Sequence, residues 1–252
     1  MCWVVLFASM ATAQSPRVRQ PASSNSGRTE RQFSMNVIRD RCIEFTEVKA
    51  GDRPWQFREC RVSEFGEFGV VDGETYYYAI YCIIPNYTTE KSECGDESLD
   101  ARYHRARGSA VFVRKASSEN ARLLFESVAR EIGTIRTEKP EIIHSSAGTL
   151  LYLPVAIEGT AHGNDSEYYL RGTGEWLPIE ATTWFAELQK RIPAGLGIWK
   201  GVWPDLRTMR AEAGLYRAGD ANCCPTGGIA RIRLAIRSRQ LVIESVVVDK
   251  VQ

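Results

Sequence analysis

The sequence predicts an α+β protein in which strand-rich antiparallel sheets, stabilised by disulfides, are accompanied by about three helices. The first observation is that apolar and polar residues alternate from Arg231 to Arg237, which is the period of a half-buried strand. The second is that apolar residues recur every three or four positions between Ser118 and Gly133, as in an amphipathic helix. The third is the cysteine set: seven occur, and six are left once Cys2 is removed with a cleaved leader.

The N-terminus predicts export. A short apolar run ends in Ala11-Thr12-Ala13, which indicates a signal peptide over residues 1–13 although no basic residue precedes the run. A buried N-terminal strand is the alternative. The run is too short to span a bilayer and no later apolar run is long enough to do so, so we expect no integral membrane segment in the mature chain. Residues 14–34 are rich in Ser, Arg, Gln and Pro, which predicts a disordered tether.

Residues 35–252 form the predicted globular region. The aromatic and β-branched run from Thr75 to Ile84 indicates a central strand, and Asp72-Gly73 before it is a hairpin signal. The helix at 118–133 lies between two strand-rich parts. The region is therefore either one domain or two lobes, 35–115 and 139–252, joined by that helix.

Two further helices are predicted in the second part. Apolar residues share one face over residues 181–191, and Pro193-Ala194-Gly195 follows. Pro204 suits the first turn of a helix over 205–213, which Gly214 would end.

The last two strands predict a hairpin. A two-residue turn at Ser238-Arg239 would place Arg233 opposite Glu244, an opposite-charge pair that favours this register. Serine and arginine are poor residues for such a turn, so a longer loop is the alternative.

Charge and motifs exclude several function classes. A net charge of +1 over 252 residues gives no electrostatic reason to expect nucleic acid or an anionic membrane as a partner. The chain has no G-x-S-x-G, H-E-x-x-H, Walker or G-x-G-x-x-G pattern. The cysteine spacing does not match a zinc site, and we expect neither a metal nor another cofactor. Whether the protein is an enzyme stays open at this point.

The cysteines leave their pairing open. Proximity in the sequence suggests Cys42 with Cys60 and Cys82 with Cys94. Cys223 and Cys224 are adjacent. They either bond to each other, as a redox switch or a rigid ring, or bridge to different partners and fix the loop. The second interpretation is favoured because adjacent Cα atoms lie about 3.8 Å apart, which is short for a disulfide.

Two clusters are candidate sites. His162 lies near Glu158 and Asp165, so this loop suits general acid–base chemistry, a calcium ion or a plain solvated connection. Trp199 and Trp203 flank Lys200 in the second cluster. Exposed tryptophans of this kind bind sugars or peptides, and the alternative is that they are core residues.

A stretch near the C-terminus carries a family resemblance. Two segments resemble exported proteins of Gram-negative bacteria. One is residues 216–228, which end in Asp220-Ala221-Asn222-Cys223-Cys224-Pro225-Thr226-Gly227-Gly228, and the other is Ile192-Pro193-Ala194-Gly195-Leu196. The resemblance covers about the last third of the chain. It implies a bacterial protein that is periplasmic or secreted, and it implies no activity.

The sequence therefore predicts an exported cell-envelope protein that binds a protein, peptide or glycan without catalysis. Two alternatives are kept. One is a secreted hydrolase that uses His162 with Asp165 or Glu158, and the other is a redox role for the Cys223-Cys224 pair.

Overall fold

A computed structural model describes residues 57–85, 106–118, 121–128, 135–157 and 163–249. These ranges contain sixteen strands and one helix, so the described protein is mostly β. The predicted α+β class with about three helices is therefore wrong. The predicted signal peptide at 1–13 and tether at 14–34 lie outside the described residues.

The N-terminal sheet is an antiparallel meander of four strands in chain order. It consists of β1 (Phe57–Val71), β2 (Glu74–Pro85), β3 (Ala106–Lys115) and β4 (Ala121–Val128). The Asp72-Gly73 turn between the first two strands is confirmed, with φ of 51° and 77°. Asparagine, aspartate and glycine tolerate such positive angles, which is why they favour two-residue hairpins.

A second four-stranded sheet has the order β11-β10-β7-β6, and a small three-stranded sheet has the order β5-β8-β9. The strands are β5 (Ile135–Thr137), β6 (Glu141–Ser145), β7 (Gly148–Leu153), β8 (Val155–Ile157), β9 (Gly163–Asn164), β10 (Glu167–Arg171) and β11 (Trp176–Ile179). Pro154 separates β7 from β8, as expected for a residue that cannot donate to a strand ladder.

The C-terminal part contains the helix α1 (Thr183–Arg191) and the remaining strands. These are β12 (Leu196–Gly197), β13 (Arg210–Gly214), β14 (Tyr216–Arg217), β15 (Ile229–Arg237) and β16 (Gln240–Asp249). The order β13-β15-β16 forms one antiparallel sheet, and β12 pairs with β14.

The β11-β10-β7-β6 sheet lies between two hydrophobic clusters. Successive side chains of a strand point to opposite faces, so neighbouring residues along one strand of this sheet belong to different clusters. Leu150 and Tyr168 pack with α1 and the β13-β15-β16 sheet, whereas Leu151 and Tyr169 pack with the N-terminal sheet. Burying one such side chain stabilises the fold by about 1.5–3 kcal/mol. The division into lobes 35–115 and 139–252 stays a prediction.

Two of the three predicted helices are wrong. The described part of 118–133 contains β4, which pairs with β3 along Gly108–Arg114. Residues 205–213 form a turn, which Met209 closes at φ 53°, followed by β13. In β13 the small residues Ala211 and Ala213 are buried while their neighbours are exposed, so the period is two. The predicted helix at 181–191 is confirmed as α1.

The final hairpin has the predicted turn and a different register. Ser238 and Arg239 form a two-residue turn with φ of 50° and 62°. Leu234 pairs with Ile243, but Arg233 pairs with Ser245, so Glu244 is the extra residue of a β-bulge. The predicted Arg233–Glu244 pair is therefore wrong, and Glu244 instead accepts from Arg237 at 3.0 Å. No helix in the described ranges is both long and apolar enough to cross a membrane.

Candidate functional site

A groove of about 860 Å³ opens beside the second sheet. Its lining comes from residues 163–169, 178–182, 184–185 and 198–202. Tyr168 pairs with Ile179, so the lining includes the beginning of β10 and the end of β11. The groove is therefore enclosed by a sheet end, the first turn of α1 and the loop after β12.

Buried aromatic and aliphatic side chains hold these elements in place. Tyr168 stacks on Tyr152 with ring centroids 5.3 Å apart. Tyr168 belongs to the hydrophobic cluster that contains Trp184, and Tyr152 packs against that cluster. Asn164 Nδ2 donates to the carbonyl of Val202 at 2.8 Å, which ties the 198–202 loop to β9. One wall of the groove is thus fixed by the core and the other by a specific hydrogen bond.

Trp199 is the largest exposed side chain of the groove. It is 42% exposed, and its ring stacks on buried Tyr216 with centroids 4.4 Å apart and planes 13° apart. The stacked Tyr216 fixes the orientation of the indole, so its remaining surface faces the groove without rotational freedom to lose on binding. Lys200 lines the groove beside it.

The other predicted binding residue, Trp203, is 39% exposed but is not among the lining residues. The alternative interpretation, that these tryptophans are core residues, therefore does not hold for Trp199 or Trp203. Trp176 and Trp184, by contrast, are buried.

Glu167 places a carboxyl group with an unusual pKa in the lining. Burial raises the pKa of Glu167 to about 6; the hydrogen bond that its Oε2 accepts from Tyr169 OH at 2.7 Å opposes this, and the nearby charge of Asp165 adds to it. A carboxyl group of this kind changes its protonation state near neutral pH.

Glu180 is a structural carboxylate. It accepts hydrogen bonds from the backbone N–H groups of Thr182 at 2.7 Å and Thr183 at 3.1 Å, and from both of their hydroxyls. Partial burial acts to raise the pKa of Glu180, but these hydrogen bonds outweigh it and hold the pKa below its usual value. Glu180 thus satisfies the free N–H groups at the beginning of α1.

The predicted acid–base cluster is only partly described. His162 and Glu158 lie outside the described residues, whereas Asp165 lines the groove and its N–H donates to the carbonyl of Val155 at 2.9 Å. Within the described ranges, no group of three or more His, Cys, Asp or Glu side chains is arranged to hold a metal ion.

Cys223 and Cys224 are joined to each other, with Cα atoms 3.8 Å apart, and both are exposed. The favoured interpretation, in which each bridges to a different partner, is therefore not the arrangement found. The Asp220 carboxylate holds the loop by accepting from the N–H of Arg217 at 2.7 Å and of Thr226 at 2.8 Å. Tyr216 OH donates to the carbonyl of Asn222 at 3.0 Å, so the loop contacts the residue on which Trp199 stacks.

The remaining cysteine predictions are largely untested. Cys82 is buried and disulfide-bonded. Cys42 and Cys94, like the side chain of Cys60, lie outside the described part of the chain. The pairs Cys42–Cys60 and Cys82–Cys94 therefore stay predictions.

Sequence reasoning missed Tyr168 and Tyr216 as site residues. The only local signal was the Tyr-rich run at the beginning of β10, which by itself indicates a strand. A scan against models of protein families finds no match to this chain, and a search of curated proteins also finds none.

Proposed function

We propose that this protein is an exported, non-enzymatic binding module whose groove takes a peptide or glycan segment of the cell envelope. The observation that carries the proposal is Trp199, which is 42% exposed in the groove and held flat against Tyr216. An exposed indole with a fixed orientation provides a large contact area at low entropic cost.

The rest of the lining suits an amphipathic ligand. Phe185 and Ile198 add apolar surface, while Lys200, Asp165 and Glu167 add charged groups of both signs. A sugar ring has an apolar face for Trp199 and polar edges for these groups. A proline in a peptide offers an apolar ring for Trp199 and polar backbone carbonyls beside it. The volume of about 860 Å³ lies within the usual range for ligand pockets.

The test is a binding screen on immobilised envelope glycans and peptides with the mature chain, followed by calorimetry on the ligands retained. Trp199→Ala should weaken binding by roughly tenfold or more, as expected for a central aromatic contact. Trp203→Ala is the matched control, because Trp203 is similarly exposed but does not line the groove. A ligand whose affinity depends on Trp203 and not on Trp199 would contradict the proposal.

A second candidate function is redox control of the same groove. It is favoured by the contact from the Cys223–Cys224 loop through Asn222 and Tyr216 to Trp199. A dithiol reductant would break the S–S bond, itself becoming a disulfide, and its two electrons and two protons would yield two thiols.

Calorimetry before and after treatment with a dithiol tests this candidate, with Cys223→Ser/Cys224→Ser as the control that cannot respond. A ligand affinity that is identical in the oxidised and reduced proteins would exclude it. The hydrolase alternative with His162, Asp165 and Glu158 stays a prediction, since only Asp165 belongs to the described groove.

A further inference from the structure

A second, smaller cleft of about 280 Å³ lies at the β13-β15-β16 sheet, separate from the aromatic groove. Its lining includes Ser146, Thr208, Arg210, Arg233 and Glu244. None of these residues lines the larger groove. The cleft is therefore a candidate site of its own.

Two arginines face each other in this cleft. Arg210 of β13 and Arg233 of β15 are directly opposite in the antiparallel register. Like charges directly opposite each other repel, so this arrangement is unfavourable unless a negative charge or solvent offsets the repulsion. Both side chains are exposed, so the pair is accessible to a partner of negative charge.

Within the described ranges, neither arginine has an acidic partner, although neighbouring arginines do. Arg207 pairs with Glu141 at 2.6 Å, Arg231 with Asp249 at 2.7 Å, and Arg237 with Glu244 at 3.0 Å. The negative charges of this region are thus committed to other arginines, and the facing pair is left uncompensated.

Two backbone irregularities lie beside the pair. The β-bulge places Ser245, rather than Glu244, opposite Arg233. On the other strand, Met209 adopts a φ of 53° directly before Arg210, and its carbonyl accepts from the N–H of Leu234 at 2.9 Å. Bulges redirect side chains, and non-glycine residues at positive φ are unfavourable, so both features are often found beside functional sites.

We propose that this cleft binds a phosphoryl group, with the Arg210 and Arg233 guanidinium groups as its main ligands. A guanidinium presents a planar fork of N–H donors that matches the oxygens of phosphate. Ser146 also lines the cleft and carries a hydroxyl donor, whereas the hydroxyl of Thr208 already donates to Asp205 at 2.7 Å. The Glu244 carboxylate at the cleft is compensated by Arg237.

The test is a titration of the folded protein with inorganic phosphate at constant ionic strength, followed by amide chemical shifts. We expect saturable binding with a dissociation constant of about 1 mM or tighter, and competition by sulfate. Arg210→Gln/Arg233→Gln should weaken it by roughly tenfold or more. Arg239→Gln, at an exposed arginine outside the cleft, should leave it unchanged.

Phosphate binding that is absent in the unaltered protein, or that all these variants reduce equally, would overturn the proposal. Arg233→Glu tests whether misfolding explains a loss of phosphate binding. This variant places an opposite charge beside Arg210, so the melting temperature should be kept while phosphate binding is abolished. A parallel titration with glycerol phosphate shows whether the bound phosphoryl group belongs to a larger molecule or is free phosphate. If glycerol phosphate binds more tightly than inorganic phosphate, the cleft takes a phosphoryl group of a larger molecule. If it binds more weakly, the cleft takes free phosphate.

Discussion

At the scale of single residues, Glu167 is a carboxyl group whose pKa is clearly raised. Its pKa is raised to about 6 in the folded protein, mainly by burial. A raised folded pKa means that the folded state holds the proton more tightly than the unfolded chain does. Protonated Glu167 therefore stabilises the fold fully at pH values below the pKa that this group has in the unfolded chain. This stabilisation is lost as the pH rises through about 6.

Glu167→Gln should remove this dependence, because the amide stays neutral at every pH. We expect the variant to exceed the unaltered protein in free energy of unfolding by about 1–2 kcal/mol at pH 7, and to be nearly equal to it at pH 4.5. Urea unfolding at several pH values measures the difference. Glu175→Gln, at an exposed turn, is the control, and parallel pH curves for the Glu167 variant and the unaltered protein would contradict the expectation.

The residues of the groove illustrate what a sequence can and cannot reveal at this scale. Trp199 and Lys200 were candidates because exposed tryptophans in an aromatic and basic cluster are typical of sugar and peptide binding. Tyr216 was not, because its role comes from a contact with a residue 17 positions earlier in the sequence. Tyr216 matters through Trp199, which stacks on it, and Glu167 through the burial that the fold imposes.

At the scale of elements, the turn between β15 and β16 carries conformational strain. Ser238 and Arg239 both have positive φ, which is unfavourable for side chains with a Cβ atom. Asparagine and glycine are the preferred residues of such turns. Ser238→Asn/Arg239→Gly should therefore raise the free energy of unfolding by about 1 kcal/mol, after allowing for the greater freedom of glycine in the unfolded chain.

Chemical denaturation of the purified variant measures this gain. Ser238→Ala is the comparison, since alanine keeps a Cβ atom at positive φ and should bring no gain. If the alanine variant were stabilised as much as the asparagine–glycine variant, relief of strain would not be the cause.

The elements also show why the prediction of helices failed. In β4, Leu124 and Phe125 both contact the cluster shared with the second sheet, which successive residues of a regular strand do not do. An irregular register at this point allows it. Ala121, Leu124 and Phe125 therefore imitate helical spacing, and only pairing with β3 resolves the ambiguity.

The hairpins were predictable because their signals are local. Asp72-Gly73 and the alternation from Arg231 to Arg237 depend on the residues themselves. In β13, by contrast, alanine and glutamate favour helices, and pairing with β15 overrides that preference. Local chemistry thus gave the turns, and tertiary pairing decided the ambiguous segments.

At the scale of the whole molecule, one side chain connects the N-terminal sheet with the second sheet. Arg171 of β10 donates to Asp72 at 2.9 Å and to Glu74 at 3.1 Å, at the turn and beginning of β2. Its guanidinium also lies 5.3 Å from the centre of the Trp176 ring. Trp176 in turn donates to Tyr76 OH at 3.2 Å, so the polar contacts form a network across the hydrophobic cluster.

Arg171→Met tests how much this connection stabilises the fold. The side chain of Arg171 is only 9% exposed and that of Glu74 only 13%, so removing the cation leaves a largely buried carboxylate without its partner. Breaking a buried ion pair in this way costs about 3 kcal/mol, whereas breaking an exposed pair costs at most about 1 kcal/mol.

Arg207→Met is the matched control, because Arg207 pairs with Glu141 at 2.6 Å where both side chains are about half exposed. Urea unfolding should place the Arg171 variant well below the Arg207 variant in free energy of unfolding. Equal losses would mean that the apolar cluster and the Trp176–Tyr76 hydrogen bond hold the two sheets together without a large contribution from Arg171. A larger loss for Arg171 would make this arginine a principal polar contact between the two sheets.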